Sequence, residues 1–335
     1  VKDQQVVKAA CGFCQVKEQI LLEKTEGQSF LDWLDTKPRN YFLKIPLGLK
    51  EGGTVISISD YLKSREKPRI KKLNLDSVAP GKNISDLTDA YAKLPVSNGE
   101  FADRYAAQAL LARVYLQQGN YASALVSAND VLQNSGHSLA STFAGAFNND
   151  ADSSEDIFAF QVTSQDGSNV LVTHYADMPN GGRGGDIVVD TYRTLFDSVL
   201  DDRLFFFYYS NDNGGILTGK YTNEYGNVPT IRVAEMHLIR AEANFRLGSS
   251  TGLAPLTEIN ALRGRSGAPA LASLSLDLIF NERQLELGFE GHVLHDKKRF
   301  GKSIFGLPAN SPRLVCPIPQ SEMDSNSLMT QNPGY

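Results

Sequence analysis

Glu282, Glu286 and Glu290 repeat every four residues in NERQLELGFEGHVLHDKKRFG, and paired carboxylates are the residues of glycoside hydrolysis. That chemistry needs two acids held roughly 5–9.5 Å apart across a cleft. Here Arg283 intervenes, and Lys297, Lys298 and Arg299 follow. Ion pairing along a helix surface is the simpler reading. Cys11-Gly-Phe-Cys14 has redox or zinc spacing, but zinc needs a second ligand pair and a thioredoxin-like site needs a βαβ setting. The remaining cysteine, Cys316, is too distant in sequence to be recruited to it, and three cysteines make no disulfide framework. Asp150, Asp152 and Ser154 suggest the opening of a calcium loop. Yet Glu155 stands where the turn glycine belongs, and Gln161 where the bidentate glutamate belongs. A helix N-cap before Ser153-Ser154-Glu155 is the better reading. Gly181 to Gly185 is glycine-rich but lacks the strand-before, helix-after setting of a phosphate cradle. With no HExxH, GxSxG or Walker sequence, the expectation is a non-enzyme without metal or cofactor.

Sugar binding asks for a different set. Aromatic faces meet the apolar CH faces of a pyranose, while Asn, Asp, Arg and Gln hydrogen-bond its hydroxyls. Asn169, Tyr175, Asp177, Asn180, Arg183 and Tyr192 supply that mixture on one expected loop. They are the candidate ligand-binding residues. Trp33, the only tryptophan, could serve too, but Phe30-Leu31-Asp32-Trp33-Leu34 reads as a helix burying it.

These side chains need a frame, and 335 residues with 41% hydrophobic and 21% charged residues can bury one large core or two ordinary ones. A net charge of -5 argues against a general nucleic-acid binder. No apolar run approaches the roughly 20 residues that span a bilayer. Val1 to Gln5 leads into no apolar leader, and Lys8 occupies the apolar place of a lipobox before Cys11. The sequence therefore reads as a mature or truncated form, or as a cytoplasmic protein.

Residues 1–82 are irregular, with helical hints at Gln15–Lys24 and Ser29–Leu34, a strand at Thr54–Ser59, a solvated basic run from Lys63 to Lys72, and a break at Ala79-Pro80-Gly81. Asp86 to Pro95 reads as a short helix. Phe101–Gln118 and Tyr121–Gln133, parted by Gly119-Asn120, form a helical hairpin with tetratricopeptide spacing, in which Ala112, Ala124 and Ala128 allow close approach. Arg232 begins a poorer copy: an amphipathic helix stopped at Gly248, then a return helix from Leu256 to Arg263. Between the hairpins, Ile157–Val162 alternates like a strand. Residues 164–190 are loop-like, Leu204–Tyr209 reads as a buried strand or helix end, and Asn211–Gly215 as a turn.

Several segments, in order, resemble the SusD/RagB family of surface glycan-binding lipoproteins. They are LTDAYAKLP at Leu87–Pro95, YAAQALLARVYLQQGNYASAL at Tyr105–Leu125, Ser154–Phe158, Asp202-Arg203 and Gly219-Lys220-Tyr221. After these come RVAEMHLIRAEA from Arg232, NALRGR ending at Arg265, ERQLELGFEG from Glu282, PIP from Pro317, and QNPGY, which pins the tail. Residues 1–82 lack the family's earlier helical region. The resemblance implies a mainly α fold: a tetratricopeptide-like helix-pair scaffold with loop-rich, few-stranded insertions. It also implies a divergent or truncated region at 1–82 and a SusD/RagB-like domain at 83–335, with helix pairs near 101–134 and 231–265 and a ligand-loop region near 163–230. The implied role is non-catalytic: binding an oligosaccharide at the outer-membrane surface and delivering it to a SusC-like TonB-dependent transporter. The implied membrane attachment is a lipid anchor, which lies outside this sequence. A tetratricopeptide-type interaction scaffold that binds no sugar is the alternative. A glycosidase using Glu282 or Glu286 is a third reading, and it is not expected.

Overall fold

A computed structural model describes residues 46–51, 54–57, 80–165, 167–183, 190–212 and 214–335. The chain divides into two compact units, Val1–Ser77 and Val78–Tyr335. In the first, β1 (Pro46–Glu51) pairs antiparallel with β2 (Thr54–Ser57), with a register irregularity between Pro46 and Lys50. The strand expected at Thr54–Ser59 is β2. The helical hints at 15–24 and 29–34, the Cys11–Cys14 pair, Trp33 and the basic run at 63–72 lie outside the described residues.

The second unit opens with α1 (Pro80–Lys93). This helix starts six residues before the expected Asp86, because a proline suits a first turn whose N–H would be unused anyway. Ala79-Pro80-Gly81 is thus a helix start where a break was expected, and the expected boundary at 82/83 falls inside α1. The hairpin follows as α2 (Arg104–Gln117) and α3 (Tyr121–Asn134). Asp103 caps α2 by accepting from the Tyr105 and Ala106 N–H groups at 2.8 and 2.9 Å. Asn120 caps α3 by accepting from Ser123 N at 3.2 Å. The alanines do what their size permits: Ala109, Ala112, Ala124 and Ala128 are buried with Leu116 and Val131, and Tyr115 and Tyr121 pack at the edge.

Next come β3 (Asp156–Phe160), α4 (Val170–Tyr175), α5 (Asp190–Arg193), β4 (Phe207–Ser210), β5 (Gly215–Thr218) and β6 (Val228–Arg232). β3 pairs with β6 and β4 with β5, both antiparallel. Ser153 opens a turn into β3, not the helix expected there: its N–H donates to Asp156 Oδ2 at 2.8 Å. The aromatic run at 204–209 is split between a 3-10 turn (Asp202–Phe205) and β4. It is not the buried segment expected, since Phe205 is 67% and Tyr209 61% exposed.

The second helix pair is α6 (Val233–Leu247) and α7 (Pro255–Arg265), followed by α8 (Leu276–Glu286), α9 (Val293–Arg299) and α10 (Gln320–Ser325). Here the expected amphipathic helix is corrected. α6 lies between α3, α7 and α8, and every residue from Val233 to Asn244 except His237 is buried. Its polar residues are neutralised inside instead of solvated. Glu235 accepts from Arg113 Nε and Nη2 at 2.7 and 2.6 Å. Arg240 donates to Glu258 at 2.9 Å, and Glu242 accepts from Arg246 at 2.7 Å. A helix packed on all sides has no solvent face to present.

The tail is closed as its motif suggests. Gln331 accepts from Ile318 N at 2.7 Å and donates to Ile318 O at 2.9 Å. Asn332 donates to Cys316 O at 2.7 Å, and the Tyr335 hydroxyl donates to Val315 O at 2.9 Å.

Gly248 ends α6 in the left-handed region, at φ 63°, with no atom within 4 Å of where a Cβ would sit. Substitution there meets backbone strain and no steric clash. Gly248→Ala is expected to cost about 1–2 kcal/mol, read as a lower urea midpoint with an unchanged slope.

Candidate functional site

The three glutamates on and after α8 are not on a helix surface, which corrects that expectation. Glu282, Glu286 and Glu290 lie in a buried ionic network whose cations come from four other segments. Glu282 meets Arg203 Nη1 at 2.6 Å and Arg263 Nη1 at 3.1 Å. Glu286 meets Arg265 at 2.5 Å, and Arg232 and Arg203 at 3.3 Å each. Glu290 accepts from Lys220 Nζ at 2.5 Å and from Arg232 Nη2 at 2.8 Å. Glu155, at the head of β3, closes the circuit by accepting from Arg265 at 2.7 Å and from Arg232. Asp201 takes Arg203 in a two-toothed grip at 2.9 and 2.7 Å.

Aromatic rings floor this network. Lys220 Nζ lies 5.1 and 4.6 Å from the Phe143 and Phe147 ring centres, and the Arg232 guanidinium 4.8 Å from Phe147. Burial pulls Lys220 down to about 8 while Glu290 resists. Burial alone would raise the Glu286 carboxyl, but Arg265, Arg232 and Arg203 together hold it far below the usual range. Glu290 is likewise held down, to about 2, by Arg232 and Lys220 against burial. A glycosidase acid must be raised to keep its proton near neutral pH. These acids are shifted the other way.

The expected ligand residues divide into two groups. Three spend their polar groups on the framework. The buried Asn169 caps α4, accepting from Leu171 N at 2.9 Å and donating to Gly226 O at 3.0 Å. The buried Asp177 accepts from Asn180 Nδ2 at 2.7 Å and from the Tyr208 hydroxyl at 3.2 Å. Tyr192 aims its hydroxyl inward at Gln284 O and Leu285 O, 2.5 and 3.0 Å away, and burial pushes its phenol far up. Its ring packs edge-on against Phe196, Phe207 and Phe289.

The others stand nearer solvent. Tyr175 is half-buried at the end of α4, with its ring 5.1 Å from that of Tyr221. Asn180 lies in the 3-10 turn Met178–Asn180, its Nδ2 given to Asp177. Arg183 is exposed, and its N–H fixes the loop by donating to Thr173 O at 3.0 Å. Between them Gly182 presses on the end of α4: a Cβ there would meet Ala176 O at 2.0 Å. Only glycine lets the chain pass so close.

The neighbouring turn, missed among the candidates, adds Glu224 and Tyr225. Glu224 O accepts from Asn169 N at 2.8 Å, and its side chain lies 3.2 Å from a Cβ built on Gly181. Tyr225 is 42% exposed. An aromatic at the tip of the polar turn TNEYGN was the available signal. Asn148 shapes this turn from across the fold, accepting from Thr222 N at 2.7 Å and donating to Gly219 O at 2.8 Å. Among the described residues no group of three or more His, Cys, Asp or Glu could hold a metal ion.

Comparison with known proteins gives this arrangement a context. Residues 208–307 match the SusD family. No curated protein matches. Among solved structures, the chain is 26% identical to a putative sugar binding protein from Bacteroides vulgatus, covering 76% of this chain and 65% of that one, with a TM-score of 0.67. A SusD superfamily protein from Bacteroides thetaiotaomicron is 24% identical, with 76% and 66% covered and a TM-score of 0.64. A laminarin binding SusD-like protein is also 24% identical, with 76% and 68% covered and a TM-score of 0.63. The chain thus spans slightly under two thirds of the length of the first two.

Two stability tests follow from the network. Glu286→Gln leaves three buried guanidiniums short of charge, so a loss of about 3–5 kcal/mol is expected in chemical denaturation. Glu290 drops from an ordinary 4.5 to about 2 in the fold. A depressed carboxyl stabilises above its unfolded value, and the gain disappears as pH falls through the folded one. That gain is about 3 kcal/mol and should be lost between pH 4.5 and 2, seen by circular dichroism as acid unfolding that Glu290→Gln flattens.

Proposed function

We propose that this chain, a SusD-family protein by its matched segment and its fold, binds an oligosaccharide without cleaving it. The observation that carries the reading is the 26% identity to a putative sugar binding protein over 76% of the chain. The local chemistry agrees with it. Tyr175 and the exposed Tyr225 supply aromatic surface, while the amide oxygen of Asn180, the guanidinium of Arg183 and the carboxylate of Glu224 supply polar groups on the same loop and on the turn that touches it at Gly181. Such a set stacks on the CH face of a sugar ring and hydrogen-bonds its hydroxyls. Asn169, Asp177 and Tyr192 hold these groups in place from behind, a positioning role in ligand binding. The absence of catalysis is supported by the state of Glu282, Glu286 and Glu290, whose carboxyls are committed to buried cations.

The physiological role we propose is delivery of the bound glycan to a SusC-like TonB-dependent transporter at the outer-membrane surface, where a lipid anchor holds the protein. The resemblance of the helix-pair scaffold to that family supports this part.

Screening the purified protein against neutral and charged oligosaccharides, followed by calorimetric titration, tests the binding step. Arg183→Ala and Tyr225→Ala are each expected to weaken the best ligand about tenfold, roughly 1.4 kcal/mol, with the melting temperature unchanged. Tyr175→Ala should weaken binding and also lower the melting temperature, because its ring packs on Tyr221. Undiminished affinity in all three variants would sink the site assignment. A screen without hits, together with capture of a protein partner, would favour the interaction-scaffold reading. Reducing-sugar release abolished by Glu282→Gln would reinstate the glycosidase.

A further inference from the structure

The first three helices of the scaffold enclose a groove of about 380 Å³, within the roughly 300–1,000 Å³ of small-ligand pockets. Tyr91 lines it from α1, Gln108 and Tyr115 from α2, and Val126 and Ser127 from α3. α2 packs against both of the other helices. The seven-residue spacing sets Gln108 and Tyr115 on one face of α2, about 10 Å apart along its axis. The Tyr91 hydroxyl donates to Asp130 Oδ2 at 2.9 Å, which ties α1 to α3. The Arg104 guanidinium sits 4.6 Å from the Tyr91 ring centre, so that ring is held before any ligand arrives.

Two buried polar side chains of this lining have no partner. Gln108 is 8% and Ser127 4% exposed, and neither the amide nor the hydroxyl makes a hydrogen bond among the described residues. A helical serine commonly returns its hydroxyl to a carbonyl one turn back; Ser127 does not. Nor are these polar atoms among the unpartnered ones sealed inside the fold, so the groove that they line gives access to them. An amide and a hydroxyl set this deep have given up most of their water without a replacement.

The lining also selects the ligand. No charged side chain borders the groove, and the Asp130 carboxylate is spent on Tyr91 and on Asn134 Nδ2 at 2.8 Å. An ionised ligand would lose its hydration and meet no countercharge. Gln108 offers a donor and an acceptor together, which a pair of neighbouring hydroxyls satisfies. The rings of Tyr91 and Tyr115 and the side chain of Val126, 67% exposed, supply apolar surface. An extended peptide fits less well, because its backbone pairs along a strand edge and helices spend their own N–H and C=O groups internally.

We propose that this groove is a second carbohydrate site, which takes a neutral hexose unit through Gln108 and Ser127 with the sugar's CH face against the tyrosine rings. It is separate from the loop around Arg183 and stands on its own geometry.

Maltose, cellobiose and lactose, titrated onto the full chain and followed by amide NMR, test it. Glucuronic acid serves as the charged control and acetyl-Ala-Leu-Ala-amide as the peptide control. At least one of the three disaccharides should shift the side-chain NH2 signals of Gln108 and the backbone signals of residues 122–127, and neither control should. Gln108→Leu should cut that affinity about tenfold or more. Its melting temperature should hold or rise, because hydrocarbon replaces a buried amide that has no partner. Ser127→Ala should weaken binding several-fold, again without loss of stability, and Arg183→Ala should leave these shifts as they are. No shift at Gln108 with any of the three sugars, or full affinity in Gln108→Leu, would overturn the proposal. Shifts with the tripeptide alone would overturn it too, making the groove a peptide-docking surface. Sugar binding that disappears in Arg183→Ala and persists in Gln108→Leu would end this site and leave the loop reading standing.

Discussion

The fold is organised around the need to keep buried charge matched. Arg203, Arg232, Arg263, Arg265 and Lys220 meet Glu155, Glu282, Glu286 and Glu290 in an interior where each ion alone would lose several kcal/mol of hydration. The members come from the head of β3, the turn before β4, the turn after β5, the end of β6, and from α7, α8 and the segment after it. A slip of any one segment strands a charge. Such a network adds little net stability over a well-packed apolar core, yet it strongly penalises wrong arrangements. Here it sets the register between the helix pairs and the loop-bearing middle.

This explains what six of the ten recognisable sequence segments have in common. The glutamate of Ser154–Phe158, the arginine of Asp202-Arg203, the lysine of Gly219–Tyr221, the first arginine of RVAEMHLIRAEA, both arginines of NALRGR and the three glutamates of ERQLELGFEG all enter one network. Their role was not legible. Glutamates at every fourth position mark a solvated helix face as readily as a buried one, and the partners lie far away in sequence. Arg203 is 79 residues from Glu282, and Arg265 is 110 from Glu155.

Local features read more truly. The α2–α3 hairpin, the stop at Gly248 and the closed tail depend on alanine size, left-handed glycine and short-range side-chain bonds, all visible in sequence. The polar residues of the loop are ambiguous in sequence for a related reason. Asn, Asp and Tyr are the residues of sugar recognition, but they are also the residues that cap helices and tie turns. Composition alone does not separate Asn180 and Arg183 from Asn169, Asp177 and Tyr192. Their surroundings in the fold do: Asn169 and Asp177 are buried and tied to the framework, whereas Arg183 is exposed.

The long sequence separations within the ionic network also bear on the order of folding. Hairpins such as α2–α3 close short loops and can form early, whereas Glu155 and Arg265 meet only after 110 residues have been brought together. Until then their charges remain hydrated, so the centre of the incomplete fold is wet and repels apolar partners. Partly folded molecules therefore present ions where other proteins present bare hydrocarbon, which favours completion of the chain over association with its neighbours.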